Sequence, residues 1–178
     1  MIIGVMSDSH GNIENLKKAA EALTKMGAKY LIHLGDDYDD VSKVQPTSVE
    51  WIRIPGVFSD YYKDPNIVNR PVKRFENIDF LLSHTPSKHE NDLPADPDPV
   101  EMTASGKVRG VFHGHTHIPR IELVGKTIWL NPGHLKDEDK KGYPPSFAAI
   151  AIEAGRISAR IMELISGKEL MAGVLNLK

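Results

Sequence analysis

Five short apolar runs, each cut off by a loop rich in Asp, His or Gly, constrain this chain more than any other feature. They are Ile2 to Met6, Tyr30 to Leu34, Val49 to Ile54, Ile78 to Leu82 and Val108 to Phe112. Runs this short, rich in β-branched residues and bounded by turn formers, read as buried strands. Between the first two the period changes: Ile13, Leu16, Ala19, Ala20, Leu23 and Met26 recur at helical spacing before Gly27, which predicts a helix over roughly 12–26, with Asn12 as its N-cap. Later, Ile121 to Val124 and Thr127 to Leu130 flank Gly125-Lys126, and Phe147 to Ile152 and Arg156 to Leu164 flank Glu-Ala-Gly, which predicts two hairpins. Strand and helix alternation followed by hairpins implies an α/β layered fold, with a mixed sheet or two packed sheets flanked by helices.

The 178 residues suit one domain spanning 1–178. Basic and acidic residues number 22 and 24, so the formal charge of -2 provides no broad field for a nucleic-acid backbone or an anionic membrane. With no cysteine, any metal must be held by His and by carboxylate or amide oxygens. The opening MIIGVMSDSH has no basic flank and turns polar within a few residues, which fits neither a signal peptide nor a span; a cytoplasmic location is expected. Lys88 to Pro99, dense in Pro, Asp and Glu, is the expected mobile loop. An apolar edge such as Phe147 to Ile152 offers a route to a homo-oligomer.

Ligands of open α/β sheets bind where loops leave the carboxyl ends of strands. Here those loops collect Asp8 and His10 after the first run, Asp36 after the second, His84 after the fourth, and His115 and His117 after the fifth. Imidazole with carboxylate suits Mn, Fe, Co, Ni or Zn better than Ca or Mg, and six donors are too many for one tetrahedral ion and about right for two. Two cations a few Å apart clamp a phosphoryl group and lower the pKa of a bridging water enough to give hydroxide near neutral pH.

Asp8-Ser9-His10, Gly35-Asp36, Ser83-His84, Gly114-His115-Thr116-His117 and Asn131-Pro132-Gly133 occur in this order. Together they resemble the calcineurin-like metallophosphoesterase superfamily, in particular its small single-domain branch of YfcE-type phosphodiesterases. The resemblance implies the layered α/β/β/α metallophosphoesterase fold, with two mixed sheets packed together and flanked by helices. It implies that Asp8, His10 and His117 hold one metal, that His84 and His115 hold the other, and that Asp36 bridges them. The cofactor is then two divalent transition metals, manganese foremost with nickel, zinc, iron or cobalt as alternatives. The substrate is a small phosphate ester or nucleotide-like diester, and Asn131 props the site from behind.

Weighed singly, several of these residues have plainer readings. Asp8 could cap the helix, although Asn12 is better placed. His33 and His113 read as strand histidines with satisfied hydrogen bonds, His89 and His134 as exposed loop residues, and Asp37, Asp39 and Asp40 as a solvated acidic turn. His115 and His117, two apart beyond Gly114, are expected on one side of an extended segment.

The third run departs from the family pattern. Family members end this strand in Gly-Asn, and the amide oxygen is a ligand of the second metal; here the segment is Pro55-Gly56-Val57-Phe58-Ser59-Asp60. Neither register places an amide there, so Asp60, Ser59 or water is left to complete the second metal, and the family's proton-donating histidine is missing too. Loss of such a donor costs on the order of 10²–10⁴-fold where the leaving group needs a proton. A carboxylate in place of the amide would also disfavour doubly charged monoesters relative to diesters. The rival reading is a catalytically weak protein-binding scaffold of the same fold, like the retromer subunit.

Overall fold

The computed structural model of the chain describes residues 1–44 and 48–177. In chain order the elements are β1 (Ile2–Met6), α1 (Ile13–Lys25), β2 (Ala28–His33), α2 (Asp40–Lys43), β3 (Glu50–Arg53), α3 (Asp60–Lys63), β4 (Val72–Phe75), β5 (Ile78–Leu82), α4 (Pro99–Ala104), β6 (Gly110–Phe112), β7 (Arg120–Val124), β8 (Thr127–Asn131), β9 (Ser146–Glu153), β10 (Arg156–Glu163) and β11 (Glu169–Asn176). They form an α/β fold of two mixed sheets with few helices. One sheet has the order β11-β10-β9-β1-β2-β3 and the other β4-β5-β6-β8-β7.

All five apolar runs are strands, and within each sheet they lie parallel: β1, β2 and β3 in the first, β5 and β6 with β8 in the second. The inner faces share one core, in which Ile3, Val5, Ile32, Leu34 and Ile54 meet Phe80, Leu82, Phe112, Ile128 and Leu130. On the outer face of the first sheet, α1 buries Leu16, Ala19, Ala20 and Leu23 against Met6, Leu31, Phe147 and Ala149. β1 is thus covered on both sides, which explains its unbroken apolar run. Each leucine of α1 contributes roughly 1.5–3 kcal/mol by leaving water. Asn12 caps α1, its side-chain oxygen accepting from Asn15 N–H at 3.0 Å. The second sheet has lighter cover: Met102, from α4, and Trp129 pack on Leu81, Val108 and Val111.

Three expectations need correction. β9 is no edge, since it pairs with β1 and β10 on either side; the first sheet ends instead at β3 and β11. Two strands carried no readable sequence signal, β4 because Lys73 and Arg74 break its apolar pattern and β11 because it is a half-exposed edge. The segment taken for a mobile loop is fastened to the body. Buried Arg70 pairs with Asp92 at 2.8 Å and donates to Pro97 O and Ser87 O, Tyr62 Oη–H donates to Asp92, and Asn69 donates to Asp96. Acidic residues that suggest solvation in a sequence are here the counter-charges and acceptors of a buried arginine and its neighbours.

Candidate metal centre

The carboxyl ends of β1, β2 and β3 in one sheet face those of β5, β6 and β8 in the other, and the loops leaving them meet above the shared core. Their backbones are unusual. Among the described residues, eight non-glycine residues have positive φ, and five are Asp8 (54°), His10 (47°), Asp36 (48°), His115 (66°) and His117 (61°). Asp37 is a sixth, and Glu76 and Asn77 form the tight β4–β5 turn. Left-handed geometry costs a residue with a Cβ on the order of 1–3 kcal/mol and gathers at functional sites. Close backbone approach is part of the construction: a Cβ on Gly56 would lie 2.6 Å from Asp36 Oδ1, and one on Gly114 would lie 2.6 Å from Asp8 Oδ2.

Asp8, His10, Asp36 and His117 bring one ligand atom each to within 4.8 Å of one another. Atoms each bound about 2.1 Å from a shared ion are at most about 4.2 Å apart, so small shifts would close the set. His10 Nε2 is 3.1 Å from Asp36 Oδ2 and 3.0 Å from His117 Nε2, which in turn is 3.4 Å from Asp8 Oδ1. His117 Nδ1 is 2.7 Å from Asp139 Oδ2, and donation there turns the Nε2 lone pair toward those carboxylates. Lone pairs that converge in this way fit a cation. Without one the site attracts protons: the hydrogen bond to Asp8, helped by Asp139 against partial burial, raises His117 to about 9. Burial alone would raise the Asp36 carboxyl, but the close approach of the His84 imidazole, with His10, holds it well below the usual range.

His84 is fully buried, and its Nδ1 lies 2.8 Å from Leu34 O. Donation to that carbonyl leaves Nε2 as a buried nitrogen with no hydrogen-bond partner, 3.3 Å from Asp36 Oδ1. An orphaned lone pair aimed beside a carboxylate fits a second cation. Burial would depress this imidazole, yet Asp36 and the charge of Asp8 raise it. His115 stands 5.0 Å from His84, ring centre to ring centre, and its N–H donates to both oxygens of Asp8 at 3.1 and 3.0 Å. His115 and His117 do not share one side of an extended segment. Both are left-handed, and His115 adjoins His84 while His117 adjoins His10 at 4.9 Å.

Asp60 is exposed, opens α3, and is not part of the four-residue group. Phe58 and Ser59 instead line a cleft of about 330 Å³ with His10, Asp36 and Asp37. Val57 is buried, whereas Phe58 is 69 % exposed with its ring 6.0 Å from His115.

Several supporting residues escaped the sequence reading. Asp139 sits 22 residues beyond His117 in an unpatterned loop, and nothing local marks it. Asp40 is no solvated turn residue: it is 1 % exposed and accepts from Ser9 Oγ–H at 2.8 Å and Gly11 N–H at 2.9 Å. His134 is buried, with Nε2 3.0 Å from Tyr143 O and Nδ1 accepting from Lys136 N–H, which corrects its expected exposure. His33 and His113 are strand-end histidines as expected, both pushed down to about 4 by burial, against the pull of Asp8, Asp40 and Asp36 at His33 and chiefly against the bond to Gly114 O at His113. His33 satisfies only Nε2, through Ser9. Asn131 does brace the loop, donating to Gly114 O and Thr116 Oγ1 at 2.9 Å and accepting from Gly133 N–H.

No helix among the described residues is long and apolar enough to cross a membrane. Residues 1–155 match the family model of the calcineurin-like phosphoesterase superfamily domain. The chain is 26 % identical over 147 residues to a phosphodiesterase of Methanocaldococcus jannaschii, covering 75 % of this chain and 83 % of that one. The phosphoesterase Yfce of E. coli has a similar fold, with TM-score 0.69 and 20 % identity over 99 % of this chain and 100 % of that one. So does Vps29 of Entamoeba histolytica complexed with zinc, with TM-score 0.62 and 17 % identity over 100 % of both chains. A family match over most of the sequence agrees with strand ends that present carboxylate and imidazole in the family's order, and the chain belongs to the calcineurin-like phosphoesterase superfamily.

Proposed function

We propose that this protein is a metal-dependent phosphoesterase acting on small or nucleotide-like phosphodiesters, with two divalent transition metals as cofactor. The observation that carries the reading is the pairing of a converged quartet, Asp8, His10, Asp36 and His117, with a buried and unpartnered Nε2 on His84 just across Asp36. Asp8, His10 and His117 would hold one ion, His84 and His115 the other, and Asp36, whose two oxygens face His10 and His84 separately, would serve both. When bound, the metals supply Lewis acidity, drawing charge off the phosphoryl oxygens and making a water acidic enough to attack near neutral pH.

The chain's own residues prepare this chemistry. Asp139 fixes the His117 ring, the Leu34 carbonyl fixes the His84 ring, and the Asp8 carboxylate is held by the His115 N–H. Preorganised orientation of this kind removes reorganisation from the reaction step. Asp37, which lines the cleft with His10 and Asp36, repels a doubly charged monoester more than a singly charged diester. Asp37 supports the diester preference better than Asp60, which stands apart from the quartet.

The test is to strip the protein with a chelator, reload it with Mn, Ni, Co or Zn, and measure bound metal alongside turnover of bis(p-nitrophenyl) phosphate and p-nitrophenyl phosphate. Two equivalents with faster diester turnover is the expected result. No bound metal and no turnover with any divalent ion would overturn the proposal. A second reading, a protein-binding platform, is favoured by Phe58 and Tyr61 standing exposed beside the cleft.

A further inference from the structure

The side of the site that lacks the family amide is closed by an unexpected residue. His89, from the loop after β5, stands edge-on to Phe58 at 5.5 Å and 6.2 Å from His115, ring centre to ring centre. It is half-buried, and the Phe58 ring it packs against lines the cleft with His10 and Asp36. The same loop grips the departed segment directly, because Asn91 Nδ2–H donates to Val57 O at 3.0 Å.

The loop is built to hold this imidazole. His89 N–H donates to Asp92 Oδ2 at 2.9 Å, and Asp92 N–H returns to His89 O at 3.0 Å. Asp92 is anchored by the buried Arg70 guanidinium at 2.8 Å and by Tyr62 Oη–H at 2.7 Å. The imidazole tautomer is fixed as well: His89 Nδ1 accepts the backbone N–H of Asn91 at 3.2 Å, so the neutral ring carries its proton on Nε2. A ring arranged in this way has no free lone pair for a cation. It has one N–H donor to offer, the opposite of His84, whose Nδ1 faces a carbonyl and whose Nε2 is bare.

Resting on the phosphoesterase reading, we propose that His89 contacts the substrate in place of the missing amide, its Nε2–H donating a hydrogen bond to a phosphate oxygen, and that it is not a metal ligand. A hydrogen bond to a charged oxygen in a partly desolvated cleft is strong enough to change affinity about tenfold or more.

The test uses the full chain loaded with manganese and inorganic phosphate as the probe, with phosphate affinity read by calorimetry and bound metal by elemental analysis. His89→Ala is expected to keep the full metal complement and bind phosphate about tenfold more weakly or worse. His89→Gln, which keeps an N–H donor, should recover part of that loss. If His89→Ala loses an equivalent of metal, the residue is a ligand and the proposal is wrong. If metal and phosphate binding are both unchanged in a protein that hydrolyses diesters, His89 merely packs on Phe58, and this proposal falls while the phosphoesterase reading stands. A wild-type protein that binds neither manganese nor phosphate takes down both.

Discussion

The two halves of the site are built differently. In the first, four donors from β1, β2 and β6 loops converge within 4.8 Å and Asp139 backs the His117 ring. In the second, His84 lies 3.3 Å from Asp36 with His115 beside it, one nitrogen is orphaned, and an exposed phenylalanine stands on the rim of the cleft. One half is thus a tight cluster of charge, whereas the other is bordered by a different loop, which is tied to it by the Asn91 to Val57 bond.

The largest effect should come from the residue that the halves share. Asp36→Asn is expected to lower diester turnover on the order of 10³-fold and to remove metal from both positions, as read by elemental analysis. If only one equivalent is lost, Asp36 does not bridge. Next in size is Arg70→Met, which strips the counter-charge from buried Asp92 and frees the loop that carries His89. The expected cost is about 3–5 kcal/mol in denaturant unfolding, with phosphate affinity falling before the first half's metal affinity does. Equal damage to both halves would mean that the loop serves the fold alone.

Asp139→Asn probes the first half by itself, since it should weaken one metal about 10–100-fold in a chelator competition while leaving the second unchanged. Phe58→Asn works in the opposite direction. The position is exposed beside His115, so an amide there should tighten the second metal about tenfold with little change in unfolding midpoint. No tightening would show that the second half has no room for the family ligand.

The smallest effect is on stability against pH. In the metal-free protein, His117 is raised to about 9 and His84 is also raised, so their contribution is full below the unfolded value of 6.5 and lost as pH rises through about 9. His33 and His113 are held down at about 4, so the folded chain binds fewer protons than the unfolded one between 6.5 and 4, and stability falls over that interval. The metal-free unfolding midpoint should therefore peak near pH 6.5. Metal should hold up the alkaline side, because bound His117 and His84 no longer need a proton. A flat profile without metal would contradict the difference between the site histidines and the strand histidines.

How much of this was legible in the sequence follows from which signals are local. A strand covered on both faces, such as β1, must be apolar throughout, and a helix on its outer face must show a period near 3.6; both were readable. So were the candidate ligands, because each follows a strand directly. Edge strands such as β4 were silent, since their charged residues look like loop. Support residues were silent for a related reason. Asp139 reaches His117, and Asp92 reaches Arg70, across 22 residues in each case, from segments whose composition suggests solvent. His89 hid in such a segment too. The departure at Gly56 to Asp60 was visible, but the loop packed against it was not, since Asn91 and Val57 are 34 residues apart.

The left-handed backbones at Asp8, His10, Asp36, His115 and His117 have a consequence for the history of such a chain. Each holds a side chain where the backbone would rather have glycine, so the fold would relax if the site were given up. Selection for stability and selection for chemistry therefore oppose each other at these five positions. Random drift would erase them early, long before it damaged a sheet. Their joint presence means that this chain carries a backbone cost at five positions gathered in one place.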